Sequence, residues 1–117
     1  MILDDLNFLI LAIFAPTLAL VGLLGFIIPP HKSPTSGAAP YNIFHIVFGV
    51  IGAIIVMSNH LSAIKAFNIG FGLIDIYQAV ASYLGLFPKR FFKWTPVDDV
   101  LHLVIGVALV LIGIFGQ

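Results

Sequence analysis

Four long apolar runs, separated by short polar or proline-rich segments, dominate the pattern of the chain. They cover about residues 6–28, 41–58, 64–87 and 96–115, and charged residues are scarce within them. A helix crosses a bilayer with about 20 mostly apolar residues. The pattern therefore predicts a single all-α domain over residues 1–117 with four transmembrane helices.

The segments between the runs carry residues that end or begin helices. The two prolines at 29–30 end the first run, because proline lacks the N–H that continues a helix. Residues 31–40 are rich in Ser, Pro and Gly, which is typical of a loop. Residues 88–93 are predicted to form a basic, aromatic connector, and the Thr-Pro-Val-Asp order at 95–98 predicts a capped helix start.

Two of the runs begin with nearly the same nine-residue segment. Asn-Ile-Phe-His-Ile-Val-Phe-Gly-Val occupies 42–50, and Asp-Val-Leu-His-Leu-Val-Ile-Gly-Val occupies 99–107, so the two copies align position by position without a gap. The ends of the other two runs are also similar, at 24–29 and 84–88. A hairpin present twice keeps one orientation, so we predict an integral membrane four-helix bundle. It consists of two repeated transmembrane hairpins, related by a pseudo-twofold axis along the membrane normal as in parallel repeats.

Composition supports a lipid environment. Hydrophobic residues make up 61% of the chain and charged residues 9%, whereas soluble domains are about 25% charged. The formal net charge of zero gives no basic field to hold nucleic acid. The chain has no cysteine, which excludes disulfides and cysteine-ligated metal. The acidic start predicts that there is no cleavable signal.

Basic residues are concentrated in the loops of one side. The first and third loops carry Lys32, Lys89, Arg90 and Lys93. The other side has Lys65 and the acidic N-terminal residues Asp4 and Asp5. The positive-inside rule then predicts a multi-pass protein of the cell inner (cytoplasmic) membrane with both termini outside the cytoplasm. Trp94, beside the basic cluster, is expected to anchor the chain at the membrane interface.

Each repeat places a histidine near the start of its helix. His45 and His102 both follow an Asx residue by three positions and precede a glycine by four, so the three share one helical face. One interpretation is that the glycine leaves room for a flat haem or chlorophyll ring, with the imidazole as axial ligand. The other is that each histidine hydrogen-bonds across the hairpin interface while the glycine permits close approach. We favour the second, since polar contacts between membrane helices are common.

The third run contains polar residues in its interior. One helical stripe holds Asn68, Asp75, Gln78 and Ser82. A carboxylate inside a membrane is costly and marks a candidate site, so Asp75 and Gln78 could line a proton or small-solute path. The alternative is that Asp75 is protonated or hydrogen-bonded to a neighbouring helix. The alternative is favoured, because no second ionisable group is expected at the depth of Asp75.

The order of these motifs resembles a known family. The residues that carry the resemblance are Gly-Phe-Ile-Ile-Pro at 25–29, Asn42-x-x-His45-x-x-x-Gly49, Leu-Gly-Leu at 84–86 and Asp99-x-x-His102. Over about residues 22–115 the chain is similar to the bacterial four-span membrane proteins catalogued as domain of unknown function 4383. The resemblance implies an integral membrane protein with no established activity. Asp75 departs from the family pattern.

Taken together, these features predict a protein without catalytic chemistry. The sequence contains no Gly-rich phosphate loop, no Ser-His-Asp order and no paired carboxylates suited to hydrolysis. We expect a structural or accessory subunit that lies in the lipid bilayer, packs against other subunits of a respiratory or photosynthetic complex and carries no cofactor. The alternatives are a haem- or chlorophyll-binding bundle with His45 and His102 as ligands and, ranked last, a pathway at Asp75.

Overall fold

The protein is built from helices joined by short connections. The structure is a computed structural model, and it describes residues 5–117. Its helices are α1 (Leu6–Ile27), α2 (Ala39–Ser58), α3 (Leu61–Leu84), the one-turn α4 (Lys89–Phe92) and α5 (Pro96–Phe115). The all-α prediction is confirmed. Asp4, part of the acidic N-terminus used to predict orientation, lies outside the described residues.

Local chemistry explains where the helices begin and end. α3 occupies 61–84 rather than the predicted 64–87, because Gly85 adopts a left-handed conformation with φ of 70° and terminates it. The connector predicted at 88–93 contains the short helix α4 instead of only irregular chain. α5 begins as predicted, with a reciprocal capping box between Thr95 and Asp98.

The distribution of side chains indicates a membrane protein. Three helices, α1, α2 and α5, are long and apolar enough to cross a membrane. Many bulky apolar side chains lie on the outside of the protein, whereas several polar side chains of the long helices are buried, namely those of Asn7, Asn42, His45, Asn68, Asp75, Asp98 and His102. This is the reverse of a soluble domain, in which such polar residues are mostly exposed. α3 is not among the three, because Asn68, Asp75 and Gln78 lower its hydropathy.

The long helices pack as two antiparallel pairs. α1 packs along α2, and α3 packs along α5, while contacts between the pairs are fewer and run mainly through α3. Residues 28–38 and 85–95 therefore lie on one side, named here the connector face. Asp5, the turn at 59–60 and Gln117 lie on the opposite side, the terminal face.

Glycines bring the paired helices into backbone contact. A Cβ atom at Gly49 on α2 would lie 2.8 Å from the carbonyl oxygen of Ala15 on α1. A Cβ atom at Gly106 on α5 would lie 2.7 Å from the carbonyl oxygen of Gly72 on α3. The space beside both glycines is thus filled by a neighbouring backbone. The interpretation that they leave room for a flat ring is wrong, and their role is close helix approach.

The offset between the two sequence repeats, which aligns position 45 with 102, recurs in the structure. The same offset relates both ends of α2 (39 and 58) to those of α5 (96 and 115), and the end of α1 (27) to that of α3 (84). It also relates the contact of Gly49 with Ala15 to that of Gly106 with Gly72. The similar segments at 24–29 and 84–88 do not follow this offset, so they do not occupy equivalent positions.

We expect the Gly106→Ala substitution to destabilise the protein by about 1–3 kcal/mol, because the added methyl group meets backbone atoms that cannot move independently. The matched control is Gly70→Ala, since a Cβ at Gly70 on α3 meets no atom within 4 Å. Thermal unfolding in detergent compares the two variants. Equal midpoints would contradict the close packing of α3 and α5.

Candidate functional site

One group of buried polar side chains ties the terminal face together. Asn7 donates from Nδ2 to the carbonyl oxygen of Ile112 at 3.0 Å, and Asn68 donates from Nδ2 to Asn7 Oδ1 at 3.0 Å. Lys65 donates from Nζ to the carbonyl oxygen of Gly116 at 2.9 Å. Asn7 and Lys65 thus donate to carbonyls at the C-terminal end of α5, where that of Ile112 also accepts the backbone N–H of Gly116 at 2.8 Å. Their role is structural.

An apolar layer lies between this cluster and the connector face. Leu18, Phe71 and Leu109 form its buried centre. The rings around Phe71 are those of Phe14, Phe44, Phe48 and Phe67, at centroid distances of 5.2 to 5.9 Å. This layer divides the polar stripe predicted on α3, since Asn68 belongs to the terminal face. Asp75, Gln78 and Ser82 lie beyond the layer, on the connector side.

Asp98 is the best-satisfied carboxylate of the connector side. Its Oδ1 accepts a hydrogen bond from the hydroxyl of Tyr41 at 3.1 Å. Its Oδ2 accepts from the backbone N–H of Ser36 at 2.8 Å and from that of Thr95 at 2.9 Å. The sequence explained Asp98 only as an acid at a helix start and missed that it joins α5 to α2 and to the first loop.

Tyr41 also contacts both histidines. Its hydroxyl oxygen lies 2.7 Å from His102 Nε2. A hydroxyl has one proton, and Tyr41 donates it to Asp98, so the bond between Tyr41 and His102 requires the tautomer in which Nε2 carries the hydrogen. The predicted hydrogen bond across the hairpin interface is therefore present for His102. His45 instead stacks on the Tyr41 ring, with 4.1 Å between the ring centroids.

Of the two repeat histidines, His45 is the one whose side chain has no hydrogen bond among the described residues. Within residues 5–117 its Nδ1 is buried and has no partner. The Asx residues that precede the histidines do not supply one. Asn42 donates to the carbonyl oxygen of Gly37 at 3.1 Å, and Asp99 Oδ1 is buried and unpartnered among the described atoms. The common spacing of Asx and His thus does not correspond to a bond between them.

Asp75 is linked to the connector through a short chain of hydrogen bonds. Gln78 donates from Nε2 to Asp75 Oδ1 at 3.1 Å, and Trp94 donates from Nε1 to Gln78 Oε1 at 3.0 Å. Trp94 is buried, with 6% of its surface exposed, so its prediction as an interfacial anchor is wrong. The indole is drawn inward because its N–H satisfies the buried Gln78 amide.

These groups meet in a cavity between the two helix pairs. It has a volume of about 180 Å³, and its polar lining includes Tyr41, His45, Asp75, Asp98 and His102. The expectation that Asp75 has no second ionisable group at its depth is therefore wrong. Asp75 lies in the middle of α3, whereas His45 and His102 lie near the starts of α2 and α5. Because α3 is antiparallel to α2 and α5, all three nevertheless line the same cavity.

The cavity does not fit a haem or a chlorophyll. A cavity of about 150 Å³ accommodates one benzene molecule, so a macrocycle of four pyrrole rings exceeds the available 180 Å³. Nε2 of His102 is engaged by Tyr41, and the sides of Gly49 and Gly106 are closed by backbone. Among residues 5–117, no group of three potential ligands is arranged to hold a metal ion.

Comparisons with known proteins add no relative. No protein-family model, curated protein or solved structure matches the chain. The resemblance to the four-span family catalogued as domain of unknown function 4383 therefore stays a prediction. It rests on the two Asx-x-x-His segments, at 42–45 and 99–102, and on the glycines that follow them.

Proposed function

We propose that the chain is a four-helix integral membrane protein made of two repeated hairpins, α1–α2 and α3–α5, and that it belongs to the four-span family it resembles. The constant offset between the repeats supports the duplication at two levels. Helix boundaries follow it, and so do the backbone contacts at Gly49 and Gly106. A pseudo-twofold axis along the membrane normal would relate the two hairpins.

In this proposal α3 is the fourth spanning helix. It has 24 residues, enough for about 36 Å at 1.5 Å per residue, and Asn68, Asp75 and Gln78 are buried within the protein rather than presented to lipid. The connector face, with its basic residues, would lie in the cytoplasm of a cell with an inner membrane, and both termini outside. Lys89 fits this face, since its Nζ binds the carbonyl oxygen of Ser82 at the end of α3.

We further infer that the protein is a non-catalytic accessory subunit of a larger membrane complex, of the respiratory or photosynthetic kind. The observation that carries this proposal is the outer surface, where bulky apolar side chains are exposed on all four long helices. Such a surface packs against lipid and against helices of other subunits by the same van der Waals contacts. Among the described ionisable groups of the interior, Asp98 and His102 are joined to each other through the Tyr41 hydroxyl.

A through-membrane path at Asp75 gains less support. The cavity brings Asp75 close to ionisable neighbours, but Phe14, Leu18 and Ile105 form its wall toward the terminal face. Within the described residues, this apolar layer separates the cavity from the Asn7 and Asn68 cluster. The geometry favours a closed pocket over a passage.

The four-span topology predicts which side of the membrane each loop occupies. Because the chain has no native cysteine, single variants Ser33→Cys, Phe91→Cys and His60→Cys can be labelled with a membrane-impermeant maleimide in oriented vesicles. Ser33→Cys and Phe91→Cys should react only from the cytoplasmic side, and His60→Cys only from the other. Labelling of Ser33→Cys and Phe91→Cys from opposite sides would exclude α3 as a spanning helix.

The accessory role predicts that the protein migrates with a larger assembly. After mild solubilisation of native membranes, a tagged chain should elute with partner subunits, and the chain separated from those subunits should show neither a Soret nor a Qy absorption band. The same sample in SDS, which separates subunits, is the control for size. Elution as an isolated chain in the mild detergent contradicts the accessory role, and a Soret or Qy band that persists in the isolated chain contradicts the absence of a cofactor.

A further inference from the structure

The cavity opens toward the bilayer. α1 and α5 scarcely contact each other, and the cavity reaches the outer surface between them. Thr17 and Val21 on α1 and Leu101 on α5 line it and are also exposed on the outside. In a membrane the opening between α1 and α5 faces lipid tails, so a ligand dissolved in the bilayer could enter there, and the lining also reaches Thr35 of the first loop.

The size and walls of the cavity limit what can occupy it. Its volume of about 180 Å³ slightly exceeds the 150 Å³ or so that holds a benzene molecule. One six-membered ring with small substituents therefore fits, and a larger head group does not. Much of the wall is apolar, with Phe14, Leu18 and Ile105 on one side. Burying a fully charged head group against such a wall would be costly.

Two polar side chains in the cavity are free to bind a ligand. His45 is more than nine-tenths buried, its Nδ1 is closed off from the cavity, and no described residue bonds to its Nε2, which is the nitrogen that a ligand could reach. Asp75 uses one carboxylate oxygen for Gln78, and no described residue donates to the other. The remaining ionisable groups, Asp98 and His102, are already joined through the Tyr41 hydroxyl.

The His45 and Asp75 side chains determine which kind of ligand is complementary to the cavity. A carboxylate oxygen and an imidazole nitrogen are hydrogen-bond acceptors, and no lysine or arginine is among the described residues that line the cavity. α1 offers only the Thr17 hydroxyl, which donates to the carbonyl oxygen of Ile13 within its own helix. A ligand that donates hydrogen bonds from a neutral ring is therefore complementary to the site.

We propose that this cavity binds the head group of a membrane-dissolved quinol. The ring lies in the cavity, its hydroxyl groups donate to Asp75 and His45, and its apolar chain leaves between α1 and α5. The proposal concerns binding alone. It rests on the proposed placement of the protein in the membrane, which the cysteine labelling tests separately, and it does not depend on membership of a larger complex.

The only tryptophan of the chain reports on this site. Trp94 binds Gln78, which binds Asp75, so its fluorescence should change when the cavity is filled. Purified protein in lipid nanodiscs would be titrated with decylhydroquinone under reducing conditions, with decylbenzene and decylamine as comparison ligands. We expect a saturable change with decylhydroquinone at a concentration at least tenfold below that needed for either comparison ligand.

Three results of this titration would overturn the proposal. The first is the absence of a saturable change. The second is equal binding of decylhydroquinone and decylbenzene, which would mean that the hydroxyl groups are not recognised. The third is tighter binding of decylamine, which would mean that the cavity recognises an ammonium group rather than a ring.

Substitutions test which residue binds the ligand and where the ligand enters the cavity. Asp75→Leu removes the acceptor oxygens at nearly the same side-chain volume, so it should weaken decylhydroquinone about tenfold and leave decylbenzene unchanged. Leu101→Phe narrows the opening and should also weaken binding, whereas Leu103→Phe, on an exposed part of α5 away from the cavity, should not. If Asp75→Leu does not fold, the comparison of Leu101→Phe with Leu103→Phe still tests the proposal. Unchanged binding in Leu101→Phe would overturn the proposal.

Discussion

The structure depends on one constraint: lipid offers no hydrogen bonds, so polar groups carried into the membrane must find partners inside the protein. The Tyr41 hydroxyl meets this constraint where the two hairpins touch. It donates to Asp98 and accepts from His102, and both belong to α5 while Tyr41 belongs to α2. This contact gives two helices that otherwise scarcely pack together a specific relative position.

Close backbone contact within each hairpin also holds the helices together in lipid. Glycine contacts between α1 and α2, and between α3 and α5, let van der Waals packing replace the hydrophobic effect, which does not act between helices in lipid. Because the paired helices are close, the space between the hairpins is what remains for a cavity. His45 and His102 both line this space but contact Tyr41 differently, since His45 stacks on its ring and His102 hydrogen-bonds to its hydroxyl.

The sequence predicted the helices and their buried faces well. Apolar runs, prolines and caps depend on local chemistry, so α5 began where the capping residues indicated, and the polar stripe of α3 is buried. Neighbours across helices were not predictable in the same way. Trp94 bonds to Gln78 on α3, and Asp98 bonds to Tyr41 on α2, and both contacts require the connector to pack against these helices. Asp75 lines the same cavity as the histidines because α3 is antiparallel to α2 and α5. The glycines were ambiguous until the helix that fills the space beside each one was known.

The most direct test of this account is a double-mutant cycle between Tyr41→Phe and Asp98→Asn, measured as free energy of unfolding in a bilayer mimetic. A direct hydrogen bond across the hairpins predicts a coupling energy of about 1 kcal/mol, within the range found between membrane helices. The control cycle pairs Asp98→Asn with Tyr83→Phe, whose side chain is 88% exposed, and it should show no coupling. Additive effects of Tyr41→Phe and Asp98→Asn would contradict the contact on which the arrangement of the hairpins depends.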